Sequence, residues 1–281
     1  MRKICASDSR SSSGVAPSCD WNPFGYGPLT ARVGFLHSDA EYPPHQAKLN
    51  IASRSVIYIG GMKRMLLSWS SGKDSAWALH VLRQRGDCEI IGLLTTVNTE
   101  FDRVAMHGTR RSVLEAQARA AQIPLWAVPL PWPCSNEQYE ERMREVCERA
   151  VREGVNAVAF GDLFLQDIRA YREAQLQSTG LEPLFPLWQL PTDALARNMI
   201  AGGLRAKLTC VDTKQLPASI VGREFDEVLL GELPPDVDHC GEKGEFHTCV
   251  YAGPMFTTPI PLESGEVVSR DGFAYADFTT A

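Results

Sequence analysis

No apolar run in this sequence approaches the roughly 20 residues that a membrane-crossing helix requires, and its N-terminus lacks the basic, apolar, small-residue order of a secretory signal. No C-x-x-C pair occurs among the eight cysteines (Cys5, Cys19, Cys88, Cys134, Cys147, Cys210, Cys240, Cys249), which speaks against a zinc ribbon, an iron-sulfur cluster or a dithiol redox centre. They read as small buried hydrophobes of a reducing compartment, and the cytoplasm is the expected location. Positive charge is scarce beyond the first 64 residues. That stretch holds 8 Lys+Arg against 4 Asp+Glu, leaving 20 against 30 for the rest, so the body is acidic and bulk nucleic-acid binding is not expected. A Walker loop is missing too, because Leu67 and Asp74 stand where its first Gly and its Ser or Thr belong.

What is present is a soluble-type composition, 44% hydrophobic and 22% charged, enough for one good core or two modest ones. Residues 1–61 are rich in Ser, Pro, Gly and Asn without periodicity; the expectation is a disordered leader, or an over-extended reading frame with the natural start at Met62 or Met65. From Met65 short apolar runs alternate with amphipathic stretches, the pattern of a parallel sheet covered by helices. Strands are expected at Met65 to Trp69, Glu89 to Thr95, Leu125 to Pro129, Ala157 to Phe160 and near Leu184. Helices are expected at Ala76 to Arg85, Thr109 to Gln122 and Asn136 to Glu153, the last opened by a Ser135/Gln138 capping box. After Trp188 a second unit follows, with a helix at Thr192 to Ala201, a strand at Lys207 to Val211, an irregular stretch, and hairpin strands around Val267 and Phe273. The expected divisions are 62–187 for nucleotide binding and 188–281 for substrate.

The segment M-L-L-S-W-S-S-G-K-D-S runs from a buried strand through a Ser/Gly turn into a helix. In a parallel sheet, ligands sit beyond the carboxyl ends of the strands, where a helix start offers unpaired N–H groups and partial positive charge to phosphate. Ser70, Ser71 and Ser75 add hydroxyls, Gly72 permits close approach, and Lys73 supplies a cation. Asp74 fits as a loop-orienting carboxylate or a magnesium ligand. The plainer alternative is a Ser-capped helix.

S-S-G-K-D-S resembles the S-G-G-x-D-S loop of the PP-loop ATP pyrophosphatases, with Ser71 in place of the second Gly, a substitution that fits unless the turn needs a positive φ. Together with C-G-E-K-G-E-F-H-T at Cys240 to Thr248, it resembles the diphthine-ammonia ligase family, the ATP-binding domain 71 group. A-M-H at Ala105 to His107, G-D at Gly161 and Asp162, P-L-W at Pro186 to Trp188 and G-R-E-F-D at Gly222 to Asp226 extend the likeness. The resemblance implies an α/β fold of the adenine-nucleotide α-hydrolase, Rossmann-like kind with a smaller α/β substrate domain. It also implies an AMP-forming amide ligase using ATP, Mg2+ and ammonia, whose acceptor is the diphthine carboxylate of translation elongation factor 2 or another carboxylate.

On that resemblance the catalytic candidates are Lys73, Asp74, Glu242, Glu245 and His247, with Gly241, Gly244 and Thr248 completing the substrate loop. Read from composition alone, that loop is a solvated turn. Thr95, His107, Gly161 and Asp162 are nucleotide candidates, and Asp162 suits magnesium or a ribose hydroxyl at the ligand end of its strand, or else a helix cap. Arg169 and Arg172 reach toward phosphates or are surface charges; Cys240 has no base at fixed spacing and is structural, and Trp126, Trp132 and Trp188 are core or interface. The competing functions are a PP-loop enzyme with a different acceptor and a sensor that holds ATP without turnover. Oligomeric state is open, a homodimer included.

Overall fold

The computed structural model describes residues 62–104 and 108–280. The expectations for the leader and for Ala105, Met106 and His107 lie outside the described residues. Five parallel strands form the first sheet: β1 (Lys63–Ser68), β2 (Cys88–Asn98), β4 (Leu125–Leu130), β5 (Ala157–Ala159) and β6 (Glu182–Leu184). A two-residue strand, β3 (Arg103–Val104), pairs antiparallel with the end of β2. Pairings of β4 with β2, β2 with β1, β1 with β5 and β5 with β6 set the lateral order. The chain thus moves outward from β1 on one side and then returns to build the other. The order of the strands reverses between β1 and β5, and that crevice is where an open parallel sheet receives its ligand.

The helices follow from period and caps. Helix α1 (Lys73–Arg85) starts three residues earlier than the apolar pattern indicated, because Gly72 takes the extended N-cap conformation and polar Lys73 and Ser75 are buried in the first turn. Helix α2 (Arg111–Ala121) turns Val113, Leu114, Gln117, Ala118 and Ala121 inward. Helix α3 (Asn136–Arg152) carries the Ser135/Gln138 capping box with both of its reciprocal bonds formed. Helix α4 (Gln166–Leu176) buries only Leu176. It is held by cation-π contacts instead, with Arg169 over Phe185 and Trp188 at 4.9 and 4.8 Å and Arg172 over Phe160 at 5.1 Å.

Helix α5 (Thr192–Ala201) leads to an antiparallel sheet of β7 (Arg205–Asp212), β8 (Phe246–Ala252), β9 (Leu262–Arg270) and β10 (Phe273–Thr280), in the order β8-β7-β10-β9. A short helix, α6 (Glu227–Glu232), lies between β7 and β8 and is capped by Asp226. The segment read as irregular therefore contains β8, and His247 and Thr248 stand on a strand and not in a loop. The glycines and charges up to Glu245 mask the start of that strand in the sequence. One hydrophobic core runs through both sheets, joining Leu67, Leu79 and Ala157 to Ala206, Leu208, Phe246 and Phe278.

Candidate functional site

Beyond β1 the chain turns sharply through Trp69 to Gly72. Ser71 has φ 68°, so the turn does demand the left-handed conformation that glycine adopts freely and that costs another residue about 1 kcal/mol or more. Ser71 is fully buried, and its hydroxyl lies against the Ser70 carbonyl and 2.7 Å from the Thr109 hydroxyl. Ser75 donates to the Gly72 carbonyl at 3.0 Å and stands 3.2 Å from the Ser70 hydroxyl. These bonds close the turn on itself.

The turn is also bound to the second sheet. Val250 N–H on β8 donates to the Ser71 carbonyl at 3.0 Å. The Thr248 hydroxyl accepts from Lys73 N–H at 3.1 Å, capping a helix whose own N-cap, Gly72, has no side chain. Lys73 was expected to offer its ammonium to phosphate. The structure instead buries it, with Nζ donating to Asp74 Oδ2 at 2.9 Å and to the Cys240 carbonyl, above the rings of Phe225 and Phe246. Burial, the largest single influence, pulls its pKa down, but the Asp74 charge and hydrogen bond together with Cys240 and Glu242 more than offset it and hold the ammonium above the ordinary lysine value. Lys73 is a charged pin between the turn and the segment that precedes β8.

On the open side three carboxylates converge. Gly161, just past β5, lies so close to α1 that a Cβ there would stand 2.9 Å from both the Asp74 carbonyl carbon and Ser75 N. That approach brings Asp162 beside Asp74. Asp74 Oδ1, Asp162 Oδ2 and Arg172 Nε are buried without a hydrogen-bond partner, the last two 3.7 Å apart. Glu242 reaches back from the loop before β8 and accepts from Leu163 N–H at 2.8 Å. Burial, reinforced by the Asp74 charge, pushes Glu242 up to about 8, and burial likewise raises Asp162. Among the described residues, no group of three His, Cys, Asp or Glu is arranged to hold a metal ion. The two orphaned Asp oxygens nevertheless suit a hard cation whose remaining ligands come from phosphate and water.

The other candidates are placed differently. Glu245 is fully buried and its oxygens accept Asp238 N–H and Lys243 N–H, each at 2.9 Å, so it closes the loop from within. Gly241 and Gly244, at φ 67° and 87°, shape the same loop. His247 is half-buried on β8, and desolvation with the Lys73 charge pushes it down to about 4, which leaves a neutral imidazole near pH 7. Thr95 is buried in β2, opposite Ala127 of β4. Cys240 contributes its carbonyl, and burial pushes its thiol up, away from nucleophilic use. The sequence reading missed Gln117. Its one signal is a polar side chain on the inward stripe of α2.

A profile of the diphthamide synthase N-terminal domain matches residues 62–183, and one of the diphthamide synthase C-terminal domain matches residues 191–277. A diphthine–ammonia ligase of Bos taurus is 24% identical, over 74% of this chain and 85% of that protein. One of Mus musculus is 28% identical over the same shares, and one of Homo sapiens is 31% identical over 51% of this chain and 55% of that protein.

Proposed function

The chain belongs to the diphthamide synthase family, and on that premise we propose an ATP-dependent amide ligase that adenylates a carboxylate and passes it to ammonia. The carrying observation is the meeting, at the winding reversal between β1 and β5, of the Ser70–Ser75 turn with Asp74, Asp162 and Glu242. The phosphates of ATP rest on the positive end of α1 with Ser70 and Ser75. Mg2+ belongs with Asp74 and Asp162, where it supplies countercharge to the nucleotide. Lys73, Thr248 and Glu245 keep this framework in place, without touching the reacting atoms.

In the first step an oxygen of the acceptor carboxylate attacks the α phosphorus and the bond to pyrophosphate breaks. In the second, ammonia nitrogen attacks the acyl carbon and AMP leaves. The nitrogen that attacks must carry a lone pair, so ammonium has to lose a proton first. Glu242, a carboxylate whose proton affinity is raised into the working range and whose Oε1 is fixed by Leu163 N–H, takes that proton. The acceptor is the carboxylate of diphthine, the group that the names of the related ligases carry, borne on elongation factor 2. The full chain incubated with ATP-Mg and ammonium should release AMP and pyrophosphate only when elongation factor bearing diphthine is present. Acceptor-independent release, or none, would refute the assignment.

A further inference from the structure

We infer that Gln117 is the positioning residue of the ATP loop; the inference rests on the reading of Ser70–Ser75 as that loop. Gln117 is fully buried, yet its amide oxygen and its NH2 group are both engaged. Its Oε1 accepts from the Trp69 indole at 2.9 Å. Its Nε2 donates to the Ser71 carbonyl at 3.0 Å and to the Val250 carbonyl at 2.7 Å. One side chain thereby grips the residue before the left-handed turn, the turn itself, and the β8 strand behind it.

The arrangement has a mechanical meaning. Ser71 sits at φ 68° without glycine's freedom, so its backbone relaxes toward the common regions unless something restrains it. Among the described residues, Gln117 Nε2 and Val250 N–H donate to its carbonyl oxygen, and Gln117 ties both to α2. An amide is required here, because the site needs one acceptor and two donors on a single planar group. Leu or Met would fill the volume and supply none of them. The loop residues that face phosphate, Ser70 and Ser75, hang on the conformation of Ser71. The consequence falls on nucleotide affinity, whereas an ordinary core residue would affect stability alone.

The experiment is calorimetric titration of ATP-Mg, without acceptor, into the full-length wild-type chain, Gln117→Met, Gln117→Met/Ser71→Gly and Trp69→Phe, well below each melting temperature. Gln117→Met should bind ATP about tenfold or more weakly, as expected for a loop displaced by a fraction of an ångström. Adding Ser71→Gly should recover most of the loss, since glycine holds the turn without restraint. Should Gln117→Met fail to fold, Trp69→Phe, which removes the bond orienting the amide along with part of the buried indole, should still weaken ATP several-fold on the same grounds. A folded Gln117→Met with wild-type affinity, or wild-type affinity in Trp69→Phe where Gln117→Met does not fold, overturns the inference alone. Absence of ATP binding by the wild type overturns the loop reading with it.

Discussion

Gly161→Ala is the smallest change that should disable nucleotide binding. The added Cβ would lie 2.9 Å from the Asp74 carbonyl carbon and from Ser75 N, and 3.2 Å from the Asp74 carbonyl oxygen. Carbon contacts are optimal at about 3.5–4.0 Å, so the first turn of α1 and the end of β5 must separate by roughly 0.6 Å or more. The three nearest atoms are all backbone, so no flexible side chain end yields to relieve the closest contacts. Overpacking of this kind costs about 1–3 kcal/mol. The larger effect should fall on ATP, since the separation pulls Asp162 away from Asp74 at the mouth of the phosphate turn. The assay pairs a urea melt with ATP titration on the full chain. The expected result is a modest loss of stability and a loss of ATP affinity well beyond it. If Gly161→Ala bound ATP like the wild type, the close approach of β5 to α1 would not be what assembles the site.

Two further outcomes follow from the same geometry. Glu242 must be ionised to accept a proton, so wild-type activity should rise as pH climbs through about 8. Glu242→Gln should lose that rise and about 10²-fold or more in rate, while the limb due to ammonium itself remains; profiles of identical shape would exclude Glu242 as the base. Lys73→Met should destabilise the fold by about 3–5 kcal/mol, because it leaves the Asp74 carboxylate in place without its cation. Lys73→Met/Asp74→Asn should regain most of this by urea denaturation, and equal stability of single and double variants would show that the ion pair is not what the lysine supports.

Periodicity and local chemistry carried much of the architecture. The helix at Thr192–Ala201 lies where its Pro191 start and Gly202 stop place it, and the Ser135/Gln138 box forms as its spacing indicates. The Ser71 substitution was legible as a conditional statement about φ, and the structure supplies the condition. What stayed hidden is long-range. The ammonium of Lys73 finds Cys240, Phe225 and Phe246 from far along the chain, and nothing in S-S-G-K-D-S tells an inward lysine from one facing phosphate. Glu245 and Glu242 sit three residues apart in one loop and are chemically alike in sequence. Their difference arises because Glu245 meets two backbone N–H groups inside the loop while Glu242 meets Leu163 outside it. Gln117 looked like one polar residue in a helix because its partners, Trp69, Ser71 and Val250, converge only after folding.

The cap that Thr248 places on α1 bears on how such a ligase can be rebuilt. A chimera that retargets the acceptor by grafting a foreign C-terminal half after α5 would also discard the Thr248 hydroxyl, the Val250 amide and the Cys240 carbonyl. The graft would then arrive with a slackened nucleotide turn, however well its own substrate surface was chosen. The seam for recombination therefore has to run around β8, leaving that strand with the ATP half although the chain reaches it last.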